Sequence, residues 1–172
     1  MQSAYNISAM VDALGKLIRA NQTVTAEWIP LKQELDLLDS YLYIQNIRFK
    51  GKIRSEWSIE DESLLQQKIL KFTLQPLVEN AIIHGFNDSF KEMLIAVTAA
   101  SDDSSVILHI KDNGCGISEK IIDKINHLDP SIDMDDKDSG FNGIGLMNIQ
   151  KRLRLTYGNN YGIRIQKNFK DE

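Results

Sequence analysis

The run DNGCG, Asp112 to Gly116, puts a carboxylate and two glycines within five residues. A carboxylate fixed at a strand end can accept from an exocyclic amino group, and Gly114 and Gly116 let a flat ring pass close to the backbone. A second run, GIGLMN from Gly143 to Asn148, opens a helical pattern. The first N–H groups of a helix lack internal partners, so Gly143 and Gly145 offer an anion both donors and a positive dipole end. A third run, LQPLVENAIIHGF at 74–86, sets Glu79, Asn80 and His84 into an otherwise apolar helical pattern. Burying such groups without partners costs about 2 kcal/mol or more, so they either lie on a polar face or hold something. The Asn80 side-chain carbonyl is a hard oxygen of the kind a divalent cation takes. Each run alone is common, since Asp-Asn-Gly is an ordinary turn and Gly-x-Gly recurs by chance. In this order they meet the needs of a purine nucleotide with a metal ion.

These residues must be carried by a fold, and the chain's texture changes near residue 50. In YNISAMVDALGKLIRA, Ile7, Met10, Val11, Leu14, Leu17 and Ile18 fall at helical spacing, with Asn6 or Ser8 available as a cap. Pro30 suits a first helical position, and Leu31, Leu35, Leu38 and Leu42 form a second stripe running toward Phe49. Ordinary core packing is the expected role of both stripes. Beyond Ile53, IRSEWSIE alternates as a strand, LQPLVENAIIHGF is helical, and MLIAVTAA and SSVILHIKD read as two strands around the turn SDDS. SEKIIDKI is a short helical pattern, DPSIDMDDKDSGFNG reads as a mobile loop, GIGLMNIQKRLRLTYG resumes a helix and YGIRIQ closes as a strand.

Composition bounds the function. The 172 residues, 42% hydrophobic, suffice for one domain with an appendage. A formal charge of -4, without a basic stripe, makes nucleic acid an unexpected partner. A single cysteine, Cys115, excludes an internal disulfide or a cysteine metal cluster. No apolar run approaches about 18 residues, so the piece reads as soluble.

LQPLVENAIIHG, DNGCGIS and GIGLMNIQKRLRLTYG resemble the N box and the two glycine boxes of the GHKL ATP-binding superfamily, the Bergerat fold. Within it they resemble the LytS-like sensor histidine kinases, and YNISAMVDALGKLIR and ELDLLDSYLYIQNIRF with Gly51 resemble that group's linker and dimerisation helices. The resemblance covers nearly the whole chain. It implies a two-layer α/β sandwich with a mixed sheet preceded by two amphipathic helices, with 1–50 as partial dimerisation helices and 51–172 as the ATP-binding domain. It implies ATP and Mg²⁺ as ligands. Asn80 would hold the metal, Asp112 the adenine amino group, and Gly114, Gly116 and Ile117 would shape the base pocket. Gly143, Gly145, Leu146 and Asn148 would sit beside the phosphates, with 117–142 as a lid. His84 reads either as a ribose or phosphate contact or as a packed helix residue; Glu79 as a base, a metal-shell residue or a surface residue.

Two departures accompany the match. The group's Asn-Pro-His-Phe-type phosphoacceptor stretch is absent, and the chain ends in KNFKDE where the family adds a strand. The expectation is an excised fragment. In gyrase-like hydrolases a glutamate base stands four residues before the metal asparagine, the position of Pro76. Transfer to a histidine is therefore favoured over hydrolysis. The implied activity is that of the catalytic region of a two-component sensor kinase, cytoplasmic, homodimeric and membrane-anchored in its parent, passing phosphate to a response-regulator aspartate. The alternatives are a nucleotide-binding module without transfer and an anti-sigma-type serine kinase.

Overall fold

A computed structural model describes residues 2–22, 27–86, 91–102, 104–127 and 144–166. Two long helices come first, α1 (Gln2–Gln22) and α2 (Leu31–Arg48), and they pack against each other. No Gly or Pro precedes Gly15 to stop α1, so the helix runs through Asn6 and Ser8 instead of being capped by either. Pro30 stands at the cap of α2 with φ -56°, one position before the first helical turn in which it was expected.

The two stripes have different fates. Leu31, Leu35, Leu38 and Leu42 of α2 are all buried, as their spacing predicts. On α1 the contact with α2 is made largely through the small residues Ala13 and Ala20, with Leu17 partly buried. Ile7 and Val11 each remain 62% exposed, Leu14 50% and Ile18 46%, which corrects the expectation of core packing for that stripe. Small residues let the two helices approach closely, and the large ones are left on the outer side.

The strands β1 (Trp28–Pro30), β2 (Ile53–Ile59), β3 (Lys68–Leu70), β4 (Met93–Ser101) and β5 (Val106–Asp112) form two sheets. β2 pairs with β4 in parallel, Ile53 opposite Met93, and β4 pairs with β5 antiparallel, Val97 opposite Ile110. The sheet is mixed, as expected. Met93, Ile95, Val97 and Ala99, at every second position of β4, turn inward and are buried. They meet Leu31, Leu35, Leu38, Tyr41 and Leu42 of α2 and Leu74, Val78 and Ile82 from the helix that follows β3, in one core. α2 therefore belongs to the core of the α/β unit even though its sequence reads like that of α1. β1 and β3 form a separate antiparallel ladder that joins the α1–α2 connection to the segment leading into the next helix.

Three further helices complete the described fold, α3 (Leu74–Asn80), α4 (Glu119–Asn126) and α5 (Ile144–Tyr157). α3 continues directly into a π turn over Ala81–Gly85. α5 packs against α3, and at its far end Tyr157 meets Trp28 edge-on at 5.2 Å between ring centroids.

The strand expected at YGIRIQ does not form among the described residues. Side-chain amides take the place of a neighbouring strand: Asn126 and Gln150 each accept from and donate to the backbone of this segment, at Ile165 and Ile163 respectively. The alternation was real, since Ile163 and Ile165 are half-buried between exposed neighbours, but it reports packing against α4 and α5. The segment expected to be a mobile loop, DPSIDMDDKDSGFNG, lies outside the described residues. No helix among the described residues is long and apolar enough to cross a membrane.

Candidate functional site

α3 carries two of the expected site residues. Leu74 and Val78 bury one side of it, and Glu79 and Asn80 fall half-buried on the flank. Pro76 is tolerated because the first-turn N–H groups have no intrahelical partner to lose. The side chain of Asn80 makes no hydrogen bond to any described residue. Glu79 lies near the buried phenol of Tyr41 on α2. Burial first, and then the Glu79 charge, push that phenol up to about 12, with Arg48 pulling it back.

The π turn ends the helix with its carbonyls turned toward the glycine run. Gly85 O accepts from the backbone N–H of Cys115 at 2.7 Å, and the Cys115 thiol reaches His84 O at 3.2 Å. π turns of this kind are frequent at functional sites because they free backbone groups from the helical ladder. The wider turn also changes the register after Asn80, so the residues from Ala81 to Gly85 do not keep the 3.6-residue spacing of α3. His84 is half-buried in this turn.

β5 delivers Asp112 at its last position. Asn113 extends the ladder with its side chain: its Oδ1 accepts from Leu94 N at 2.8 Å and its Nδ2 donates to Glu92 O at 3.1 Å. Asp112 Oδ1 accepts from Gly114 N at 2.8 Å, an Asx turn that fixes the carboxylate. Asp112 Oδ2 has no partner among the described residues. A Cβ at position 114 would lie 2.6 Å from Gly85 O and 2.7 Å from Gly85 Cα, so only glycine allows this close approach. Gly116 has φ +80°, a left-handed conformation that also favours glycine. Ile117 follows, half-buried, just before the start of α4.

The third group sits at the start of α5. Leu146 is buried and anchors the first turn, whereas Gly145 and Asn148 are exposed. Gly143 lies outside the described residues. The segment bearing Asn80 therefore meets the glycine turn through Gly85 and packs against α5, the helix on which Gly145, Leu146 and Asn148 lie. Among the described residues no group of three or more His, Cys, Asp or Glu could hold a metal ion. A cation beside Asn80 would have to draw most of its ligands from phosphate and water, the usual habit of Mg²⁺.

Some residues that shape the site were not singled out from the sequence. Glu34 of α2 is buried and bonds the backbone at the start of α3. Its signal was its spacing, three residues after Leu31 and four before Leu38, a core position on the stripe. Arg152 of α5 makes no ion pair among the described residues, and its neighbours three and four positions away on the helix, Asn148, Ile149, Leu155 and Thr156, carry no charge.

The sequence model of the histidine kinase-, DNA gyrase B- and HSP90-like ATPases matches residues 66–168, more than half of the chain and the whole of the site just described. The chain belongs to that family. Membership of the ATPase family brings ATP binding with it, and a separate histidine kinase model matches residues 1–53. The ATPase-family chain is similar to the sensor histidine kinase YesM of Bacillus subtilis, 33% identical over 159 residues, 92% of this chain and 25% of the relative. It is 30% identical over 158 residues to the sensor histidine kinase BtsS of Escherichia coli K12, 92% of this chain and 25% of the relative. The sensor protein LytS of Bacillus subtilis is 36% identical over 138 residues, 80% of this chain and 22% of the relative. The chain thus spans about a quarter of the length of these relatives.

Proposed function

We propose that the chain is the ATP-binding catalytic region of a two-component sensor histidine kinase. The observation that carries this reading is Asp112, held at a strand end by Gly114 N–H with its other oxygen unpartnered beside a glycine clasp. In this reading Asp112 accepts from the adenine amino group, and Gly114, Gly116 and Ile117 line the base. Asn80 offers its carbonyl to Mg²⁺, which when bound would offset phosphate charge. His84 touches ribose or phosphate. Gly143, Gly145, Leu146 and Asn148 would lie beside the phosphates, where the unpaired N–H groups in the first turn of α5 suit an anion. Glu79, on the same flank as Asn80, orients or deprotonates the attacking group.

Residues 51–172 would carry the nucleotide chemistry and 1–50 the helical region, α2 being packed onto both. The phosphoacceptor would be a histidine other than the three present. His84 lies in the π turn, His109 on β5 and His127 at the end of α4, so none stands on α1 or α2. Phosphoryl transfer rests on positioning and charge stabilisation, so an acceptor presented by another segment is sufficient. The proposed downstream partner is a response-regulator aspartate, and the proposed setting is the cytoplasmic side of a membrane-anchored homodimer.

Titration with a fluorescent ATP analogue, with and without Mg²⁺, tests the reading. Binding should tighten with Mg²⁺, and Asp112→Asn should lose about 1 to 3 kcal/mol, roughly 5- to 150-fold in affinity. Equal affinity of the wild type and D112N would remove the adenine assignment.

A further inference from the structure

α3 is too short to hold itself in place. Seven residues form few internal hydrogen bonds, and a helix of that length is marginal without tertiary support. Its own cap residue gives no help: the hydroxyl of Thr73 donates back to Leu70 O at 2.7 Å, and no side-chain cap bond forms from it. Phe72, just before, is held at φ +58°, a left-handed conformation that a bulky residue adopts only when its surroundings impose it. The group that imposes it comes from 38 residues upstream: Glu34 Oε2 accepts from Phe72 N at 3.0 Å, and Oε1 accepts from Leu74 N at 2.9 Å. The carboxylate is only 1% exposed. A buried carboxylate at a helix N-terminus, with both oxygens bonded to backbone donors, makes a strong charge-assisted anchor.

The turn from Leu70 to Leu74 is tied on its other side as well. The buried Lys71 ammonium donates to Ala20 O in the last turn of α1, and Lys71 N donates to Glu27 O at 2.9 Å. β1 and β3 pair immediately before it. The segment that launches α3 is thus fastened to the two N-terminal helices, and only afterwards does α3 reach Asn80.

We propose that Glu34 is a positioning residue of the nucleotide site: from α2 it fixes the start of α3 and so sets where Asn80 presents its carbonyl. Asn80 lies six residues along from the bonded amide of Leu74, about 9 Å at the helical rise. A shift at the first turn is therefore carried to the metal-binding residue, whereas Asp112 is held by its own strand and Asx turn. The inference rests on the proposed assignment of Mg²⁺ to Asn80 and of adenine to Asp112.

The test is the Mg²⁺-dependent gain in affinity for the fluorescent ATP analogue, measured in the full 172-residue chain. Glu34→Gln keeps the shape and one acceptor oxygen but turns an amide N–H₂ toward a backbone donor. The Mg²⁺-dependent gain should fall by a factor on the order of 3 to 30, with affinity in the absence of Mg²⁺ within about twofold of wild type. Leu35→Ala, one position along α2, removes volume from the core shared with Leu74 and Val78 without removing a cap bond, and should lose less of the Mg²⁺-dependent gain than E34Q. An E34Q variant with an unchanged gain, or an L35A variant that loses as much of it, would overturn the proposal. Should E34Q not fold, amide exchange in the wild type decides: the Leu74 amide must be protected to the level of the β4 amides, and exchange at the rate of a free helix end would overturn the proposal equally. A wild type that gains nothing from Mg²⁺ would instead remove the functional reading on which the inference stands.

Discussion

One methyl group at position 114 separates a working clasp from a broken one. The 2.6 Å that a Cβ would leave to Gly85 O is a clash with backbone, which cannot rotate away as a side chain can. Gly114→Ala should destabilise the chain by about 1 to 3 kcal/mol and weaken nucleotide binding, as the π turn and the Asp112 turn are forced apart. Gly145→Ala is the useful contrast for stability, because a Cβ there meets nothing within 4 Å among the described residues and alanine favours the helix by up to about 1 kcal/mol. Urea unfolding of the two variants should therefore move in opposite directions, and a G114A as stable as wild type would show that the clasp yields. This difference between two glycines was invisible in the sequence. Both stood in Gly-x-Gly runs, and only the approach of Gly85 from a segment 29 residues earlier makes one of them irreplaceable on steric grounds. The placement of the candidate residues, in contrast, was readable in part, since Asp112 does end β5 and Gly145 does lie in the first turn of α5.

At the scale of elements, the contact between α2 and α3 gives the site its backing, and Tyr41 reports on it. An unfolded tyrosine titrates near 10, whereas burial and the Glu79 charge hold this one up to about 12. Below pH 10 both states keep the proton and the full contribution is present. As pH rises through the window to 12 the unfolded chain loses a proton that the folded chain retains, so stability falls. With the charge of Arg48 opposing, the loss should be on the order of 1 to 2 kcal/mol. Urea midpoints followed from pH 9 to pH 12 should decline more steeply in wild type than in Tyr41→Phe, and parallel curves would contradict the buried phenol. The helices and the three-stranded sheet were legible because their periods, 3.6 and 2, run over enough residues to count. β1 and β3 were not, since three residues carry no period, and the YGIRIQ segment misled because side-chain amides can satisfy an alternating backbone as a strand does. Glu34 and Tyr41 occupied core positions of the α2 stripe, yet a polar residue in such a register is recognised only once the backbone it serves is known.

For the whole molecule, the outer side of α1 is an apolar surface that no described residue covers. Ile7, Val11, Leu14 and Ile18 follow one another at intervals of four, three and four residues, the a/d rhythm of a coiled-coil seam, and all four are about half exposed or more. A contiguous apolar stripe of this kind left exposed to water marks an association surface. The proposed occupant is the same helix of a second copy, because a seam whose two positions alternate in this way is complementary to itself and the histidine kinase model covers these residues. Sedimentation of the chain across a range of concentrations should show dimers forming reversibly. Introducing Val11→Asp and Leu14→Asp together places two carboxylates in the seam of each copy, removing apolar burial worth about 1.5 to 3 kcal/mol per side chain and adding like-charge repulsion. The doubly substituted chain should stay monomeric at concentrations where wild type associates, a change of more than about 100-fold in the dissociation constant. Its nucleotide affinity should be unaltered, since neither residue belongs to the core that carries α3 and β5. A wild-type chain that remains monomeric throughout, or a double variant that dimerises as readily, would assign the stripe to a different partner helix.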